Sequence, residues 1–297
     1  MTNDECAHEL LNFKNRMIAE RRSPYTIKQY SFFAKMFTDF ISKPAKNCDA
    51  RDIESFKLFL ATKKHYSKNS QYLAIKAVKH MFVELGYEVP KNLEAPRRSK
   101  KVPVYLNKNE VELLLKFAIN DISCYAIVNT FLYSGMRVSE LCSLRTDDMD
   151  LESGTVRITG GKGDKERIVL IPKEVSDILS EYIFWKAEHG RISEYFFVSA
   201  KGGKYHPSTV EKMVREAAAK SGISRHVTPH TLRHTFATTI LKNGGDIRFI
   251  QRMLGHSSIG TTEIYTHIDD ETMRDMYSRF RPRFETSKKA VENSTFS

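Results

Sequence analysis

A basic stretch with three prolines, near residue 90, limits how this chain of 297 residues can fold. Between Gly86 and Pro103 the prolines interrupt the helical periodicity, because proline lacks a backbone donor and clashes inside a helix. Four cations fall within five positions of this stretch: Arg97, Arg98, Lys100 and Lys101. We therefore predict two domains, at residues 1–88 and 104–285, with a basic linker at 89–103 between them and a flexible tail at 286–297.

Helical periodicity extends through the first domain, from Glu5 to about Leu85. Ser23, Asp49 and Ser67 each stand where a side-chain oxygen can accept the unpaired N–H groups that begin a helix. The pattern predicts a small all-α domain. Its polar faces carry lysines that could follow a phosphate backbone, although a surface lysine more often only aids solubility. The candidates are Lys63, Lys64 and Lys68.

The second domain mixes helices with a predicted β-hairpin. Apolar periodicity predicts helices over residues 108–118, 122–133, 174–188 and 207–220. Alternating side chains at Thr155–Thr159 and Glu166–Ile171 flank the glycine-rich turn GGKGD, which presents Lys162 at the tip of the hairpin. We expect a fold that is mainly α with a small antiparallel β-sheet.

The run from residue 228 to residue 267 gathers imidazoles, a guanidinium and a phenol. Thr228 stands before a proline, which predicts the start of a helix and places His230 and Arg233 on one helical face. A glycine then predicts the end of a second short helix directly before His256, and Tyr265 lies in the next helical segment. Three short helices can thus bring their ends to one point.

The net charge and the cysteine spacing limit which partner the protein can bind and which cell compartment it can occupy. A formal charge of +11 and an isoelectric point near 9.3 point to a polyanion, either nucleic acid or an anionic membrane surface. The acidic start does not resemble a signal peptide, and no apolar run is long enough to span a bilayer, which leaves nucleic acid. The four cysteines form no CxxC pair, which is typical of reduced thiols in a cytosol. We expect a cytoplasmic, nucleoid-associated protein without a membrane partner.

The gathered residue types fit the cleavage of a phosphodiester. Negative charge builds on the nonbridging oxygens, and guanidinium groups stabilise it well because they bind two oxygens and stay charged. Arg137, one turn before Glu140, and Arg233 are the candidates. A phenol has a pKa of about 10, so it attacks when a base takes its proton or cations hold the phenolate. Tyr265 could be the nucleophile, His230 the base and Lys162 the acid. His256 could donate a further hydrogen bond to the phosphate.

Four blocks of the sequence, in order, resemble the tyrosine recombinases, also called the phage integrase family. The blocks are GMRVSEL, GGKGDKERIVLIP, TPHTLRHTFATTIL and IQRMLGHSSIGTTEIYTHI, and the likeness is greatest to the Xer-type site-specific recombinases. The N-terminal helices are similar to the SAM-like core-binding domain of that family. Its catalytic pattern matches this chain at Arg137 with Glu140, Lys162, His230, Arg233, His256 and Tyr265.

The resemblance implies a mechanism. Tyr265 would attack the scissile phosphate and form a 3′-phosphotyrosyl link, while Lys162 would protonate the leaving 5′-oxygen. His230 would be the base, and Arg137 and Arg233 would clamp the phosphate. His256 would donate a further hydrogen bond to the phosphate, and Glu140 would orient the neighbouring groups. No metal and no other cofactor are implied. The likeness also implies double-stranded DNA with paired half-sites as substrate, and a homotetramer on synapsed DNA that is a monomer or dimer when free. Residues 269–280 would pack into a neighbouring subunit.

Several alternatives stay open. Chromosome or plasmid dimer resolution and integration or excision by a mobile element use the same chemistry, and no residue separates them. A relaxing type IB topoisomerase would share the nucleophile and the clamp, and a catalytically silent relative would only bind DNA. His230 and His234 also have a spacing that can bind zinc. A hydrolytic HExxH site would need a glutamate that is missing here, and Arg233 between the imidazoles would repel a dication.

Overall fold

The computed structural model describes residues 2–96, 104–159, 166–255 and 270–284. The chain divides into two compact units, Met1–Val102 and Pro103–Ser297. The predicted linker lies partly outside the described residues, and its bounds stay a prediction. None of the helices in the described ranges is both long and apolar enough to cross a bilayer.

The described part of the first unit contains four helices and a short 3₁₀ turn at Ala45–Asn47. The helices are α1 (Thr2–Ala19), α2 (Pro24–Ile41), α3 (Ala50–Thr62) and α4 (Lys68–Leu85). The side chains of Ser23, Asp49 and Ser67 accept the first-turn N–H groups of α2, α3 and α4, so the three predicted caps are confirmed. The core between these helices includes five buried phenylalanines, and the rings of Phe37 and Phe56 meet edge to face at 5.0 Å.

The second unit contains eight described helices, one of which is buried among the others. They are α5 (Lys108–Ala118), α6 (Ile122–Ser134), α7 (Val138–Ser143), α8 (Lys173–Glu188), α9 (Pro207–Lys220), α10 (Pro229–Lys242), α11 (Ile247–Leu254) and α12 (Asp270–Phe280). Every residue of α6 from Ser123 to Ser134 is buried, because α5, α8, α9 and α10 pack around it. The start of α10 and the end of α6 therefore meet inside this unit.

A three-stranded antiparallel sheet, in the order β1-β2-β3, lies within the second unit. The strands are β1 (Met149–Asp150), β2 (Thr155–Ile158) and β3 (Arg167–Leu170). Val156 pairs with Val169 and Ile158 pairs with Arg167, which confirms the predicted pairing of β2 with β3. Together the helices and this sheet confirm a fold that is mainly α with a small antiparallel sheet. Strand β1 was not predicted, since two residues are too few to show an alternating pattern.

The C-terminal helix α12 packs against its own unit. The hydroxyl of Tyr277 is buried and donates a hydrogen bond to the carbonyl of Tyr133 at 2.8 Å, and the side chain of Met273 is buried as well. The amide of Asn243 donates to the carbonyl of Phe280 at 3.1 Å. Met273 and Tyr277 of α12 are thus covered by their own unit, and the packing of residues 269–280 into a neighbouring subunit stays a prediction.

Candidate active site

The first turn of α10 places two of the predicted site residues. The hydroxyl of Thr228 accepts the backbone N–H of Thr231 at 3.2 Å, and the hydroxyl of Thr231 accepts the N–H of Thr228 in return. This reciprocal cap fixes where the helix begins. His230 lies exposed at its start, whereas Arg233 turns inward with an exposed fraction of 5%.

Arg233 is a buried cation held by neutral groups. Its Nη1 donates to the carbonyl of Gly135 at 2.6 Å, and its Nη2 donates to the carbonyl of Leu254 at 2.7 Å. These carbonyls lie at the C-terminal ends of α6 and α11, where unpaired acceptors carry partial negative charge. Among the described residues no carboxylate comes within ion-pair distance of Arg233. Burial and the charge of Arg137 lower the pKa of Arg233 to about 10, so the guanidinium stays charged near neutral pH.

Arg137 stands beside Arg233 at the N-terminus of α7. Its Nη2 donates to the carbonyl of Gly255 at 3.3 Å, and this carbonyl follows directly the one that Arg233 uses. Its Nη1 donates to Oε1 of Glu140 at 2.8 Å, and its backbone N–H donates to Oε2 at 2.6 Å. The Arg137 side chain keeps 41% of its surface exposed, so part of the guanidinium faces solvent. The end of α11 thus brings the two predicted arginines together.

Glu140 is buried under these cations and is fully hydrogen-bonded. Burial alone would raise the pKa of Glu140, but the hydrogen bonds from Arg167 and Arg137 outweigh it and lower that pKa to about 2. Arg167 forms a two-point pair with the carboxylate, from Nη1 to Oε1 at 2.9 Å and from Nη2 to Oε2 at 2.8 Å. One carboxylate therefore pairs with two guanidinium groups near a third, that of Arg233, and positive charge is in excess.

Sequence reasoning missed Arg167, although the strand pattern contained a signal for it. In β3 the side chain of Ile168 faces outward and that of Val169 is buried, so Arg167 lies on the inward side. An arginine on the inner face of a small sheet needs hydrogen-bond acceptors there, and a buried carboxylate such as that of Glu140 can supply them. The neighbouring strand offers a contrast, because Arg157 of β2 faces outward with 57% of its side chain exposed.

Two glycines allow the C-terminal ends of α6 and α11 to pack closely against neighbouring side chains. Gly135 ends α6 with a φ of +63°, and a Cβ there would lie 2.3 Å from the ring of Phe236 and 2.8 Å from Leu254. Gly255 ends α11 with a φ of +64°, and a Cβ there would lie 3.0 Å from three atoms of the Arg167 side chain. Both positions disfavour a side chain by backbone conformation, and at Gly135 the contact with Phe236 excludes one as well.

His230 has the properties of a proton acceptor. Partial burial, followed by the charges of Arg233 and Arg137, lowers the pKa of its imidazole below 6.5. The ring is therefore neutral near pH 7 and can take up a proton. The ring of His234 packs edge to face against it with the centroids 4.5 Å apart. The zinc alternative would also use this pair, and a chelator test decides it.

Several other predicted site residues lie outside the described ranges. Lys162, His256 and Tyr265 lie outside them, as do the linker cations Arg97, Arg98, Lys100 and Lys101. Lys63, Lys64 and Lys68 lie exposed at the junction of α3 and α4. In the described part of the chain, one group of side chains has the spacing of metal ligands. It consists of Glu20, His80 and Glu84 of the first unit, whose ligand atoms lie within 4.8 Å of one another. The roles assigned to all these residues stay predictions.

Each of the two units matches a known protein family. Residues 104–272 match the phage integrase family, and residues 10–88 match the phage integrase N-terminal SAM-like domain. A tyrosine recombinase of Thermosipho africanus is 32% identical over 268 residues, which cover 86% of this chain and 93% of that protein.

Two solved structures extend the comparison. The crystal structure of XerA recombinase is 46% identical in sequence with a TM-score of 0.52, and the match covers 94% of this chain and all of that one. A crystal structure of the XerH site-specific recombinase, in a pre-cleavage complex with its difH substrate, is 24% identical with a TM-score of 0.66. That match covers 88% of this chain and 81% of the other, and at this identity it shows the fold.

Proposed function

The chain belongs to the phage integrase family, and on this premise we propose that it is a tyrosine site-specific recombinase that cleaves and rejoins DNA strands. The observation that carries the proposal is the buried cation Arg233, which has neutral carbonyls for partners beside the half-exposed Arg137. A buried charge without an opposite charge is costly, so the site gains most when an anion binds. A phosphodiester offers two nonbridging oxygens to two guanidinium forks.

In the proposed reaction the phenol oxygen of Tyr265 attacks the scissile phosphorus, and the bond from phosphorus to the 5′-oxygen breaks. His230 takes the phenol proton, because its lowered pKa keeps the imidazole neutral near pH 7. Lys162 gives a proton to the departing oxygen, so the products are a 3′-phosphotyrosyl link and a free 5′-hydroxyl. The covalent link keeps the energy of the phosphodiester, and a 5′-hydroxyl of a partner duplex reverses the step without ATP.

The remaining groups of the site stabilise the phosphate. Arg137 and Arg233 hold the nonbridging oxygens, and His256 donates a further hydrogen bond. Glu140 fixes Arg137 through the backbone N–H and Nη1. Because these cations are permanent, the proposed chemistry uses no metal, and activity should survive EDTA.

The substrate in this proposal is double-stranded DNA with paired half-sites, bound by a homotetramer when two sites synapse. The role is Xer-like resolution of chromosome or plasmid dimers, and the 46% identity to XerA recombinase supports it. Exposed lysines at the α3–α4 junction and the basic linker would contact the phosphate backbone. A DNA substrate would place the protein with the nucleoid in the cytoplasm.

Covalent trapping tests the proposal. The purified protein is incubated with nicked fragments of genomic DNA, and adducts that resist detergent are isolated and sequenced. We expect one class of site with inverted half-sites, on the chromosome or on plasmids. Sites beside phage or transposon ends would support the mobile-element role instead, and a complete lack of adducts would refute the recombinase proposal.

A nicked duplex of the recovered site then tests the nucleophile. Tyr265→Phe should bind this DNA but form no adduct. Tyr195→Phe is the matched control, because it removes a phenol hydroxyl elsewhere in the same unit and should leave the adduct unchanged. An adduct that persists in Tyr265→Phe would assign the nucleophile to another residue.

A further inference from the structure

We propose that Arg167 is a positioning residue for cleavage, which acts through Glu140 to hold Arg137 in place. The inference rests on the proposed function and adds a residue to it. Arg167 has 11% of its side chain exposed, and Glu140 has 4%. The two-point pair between them is thus shielded from water, and its geometry leaves the carboxylate little freedom to rotate.

The carboxylate of Glu140 serves both arginines at once. Oε1 accepts from Nη1 of Arg137 at 2.8 Å and from Nη1 of Arg167 at 2.9 Å. Oε2 accepts from the Arg137 backbone at 2.6 Å and from Nη2 of Arg167 at 2.8 Å. Without Arg167, half of these bonds disappear, and the carboxylate can turn towards Arg137 alone. The Arg137 guanidinium would then lose its fixed direction.

Charge leads to the same conclusion. Glu140 is ion-paired with both Arg137 and Arg167, so this group of three side chains keeps a net positive charge. If Arg167 lost its two-point bond, Glu140 would neutralise Arg137, which is the group that faces the phosphate in the proposed reaction. Arg167 thus keeps positive charge available on the exposed side of the site.

Arg167 also links this pair to two further elements. Its Nε donates to the carbonyl of Met253 in the last turn of α11 at 3.0 Å, and its side chain packs on Gly255. In the sheet it pairs with Ile158, the last described pair of β2 and β3, and the segment of the chain between these strands contains Lys162. One side chain therefore connects the hairpin stem, the start of α7 and the end of α11.

The test compares Arg167→Lys with Arg157→Lys, the same change at the outward arginine of the same hairpin. Lysine keeps the charge but cannot make the fork. Adduct formation is measured in single turnover at saturating protein on the nicked site recovered by trapping. We expect Arg167→Lys to slow adduct formation by about 10- to 100-fold with little change in DNA affinity, because misplacing a catalytic group costs that much. Arg157→Lys should match the wild type.

A second substrate separates positioning from a packing defect. A methyl group in place of one nonbridging oxygen makes the scissile phosphate neutral and lowers its need for Arg137. The deficit of Arg167→Lys should shrink at least several-fold on this substrate, whereas a packing defect slows both substrates equally. Equal deficits, or a rate within twofold of Arg157→Lys on the charged substrate, would overturn the inference. If the wild type forms no adduct, the proposed function fails first and this inference falls with it.

Discussion

Replacing Glu140 by glutamine should destabilise the second unit strongly at neutral pH. The pKa of Glu140 is lowered from 4.5 to about 2 in the folded chain, and each unit corresponds to about 1.36 kcal/mol. The ionised carboxylate therefore contributes about 3 kcal/mol, which Glu140→Gln removes while leaving three guanidinium groups close together. For a unit of this size the melting temperature should fall by about 6–12 °C.

The pH dependence identifies the charge as the cause. Because the folded pKa lies below the unfolded one, the stabilisation is fully present above pH 4.5 and is lost as the pH falls towards 2. The difference in unfolding free energy between wild type and Glu140→Gln should be constant from pH 7 to about pH 5. It should shrink to roughly half or less at about pH 3.

Urea unfolding followed by tryptophan fluorescence measures this difference. The single tryptophan, Trp185 on α8, reports on the unit that contains Glu140. Asp177→Asn is the control, because its pair with Lys173 is exposed and should contribute less than about 0.5 kcal/mol. A loss below about 1 kcal/mol at pH 7, or a loss that is equal at pH 7 and pH 3, would refute the electrostatic reasoning.

Two further outcomes follow from the same site. Gly135→Ala should cost at least about 3 kcal/mol in thermal unfolding, because its φ is +63° and the new Cβ meets an aromatic ring at 2.3 Å. Gly190→Ala has a similar φ of +61° with nothing within 4 Å, so it should cost only about 1 kcal/mol, and equal losses would contradict the packing argument. His230 must be neutral to act as a base, and its pKa is lowered from 6.5. The adduct rate should therefore fall to half its plateau only below pH 6.5, and a fall centred above pH 7 would argue against His230 as the base.

Local features of the fold could be predicted because they are encoded within a few residues. The predicted ranges 108–118 and 207–220 agree with α5 and α9, and the caps at Asp49 and Thr228 form as expected. Helix starts and stops depend on neighbouring side chains and glycines, which a sequence displays directly. Strand β1 escaped prediction because only its pairing with β2 defines it.

The closeness of three predicted residues could be anticipated from the sequence, but the contacts that hold them could not. Arg137, Glu140 and Arg233 do converge, and their residue types and spacing indicated an anion site. The partner Arg167 lies 27 residues from Glu140, and the carbonyl of Gly255 lies 118 residues from Arg137. Such contacts depend on how helices pack, and no local periodicity records them. The hydrogen-bonding capacity of the carboxylate was the missing constraint, because Arg137 supplies two bonds to Glu140 and leaves two acceptor positions for a second arginine.

The oxygens that hold Arg233 belong to the main chain, and this affects how the protein can vary. A substitution can delete a carboxylate, but it cannot delete a carbonyl. Side chains along α6 and α11 can therefore change from one homologue to another while the socket for the guanidinium persists. Insertions or deletions within these two helices would be far more damaging, because they would rotate the last turn and carry the acceptor oxygens away.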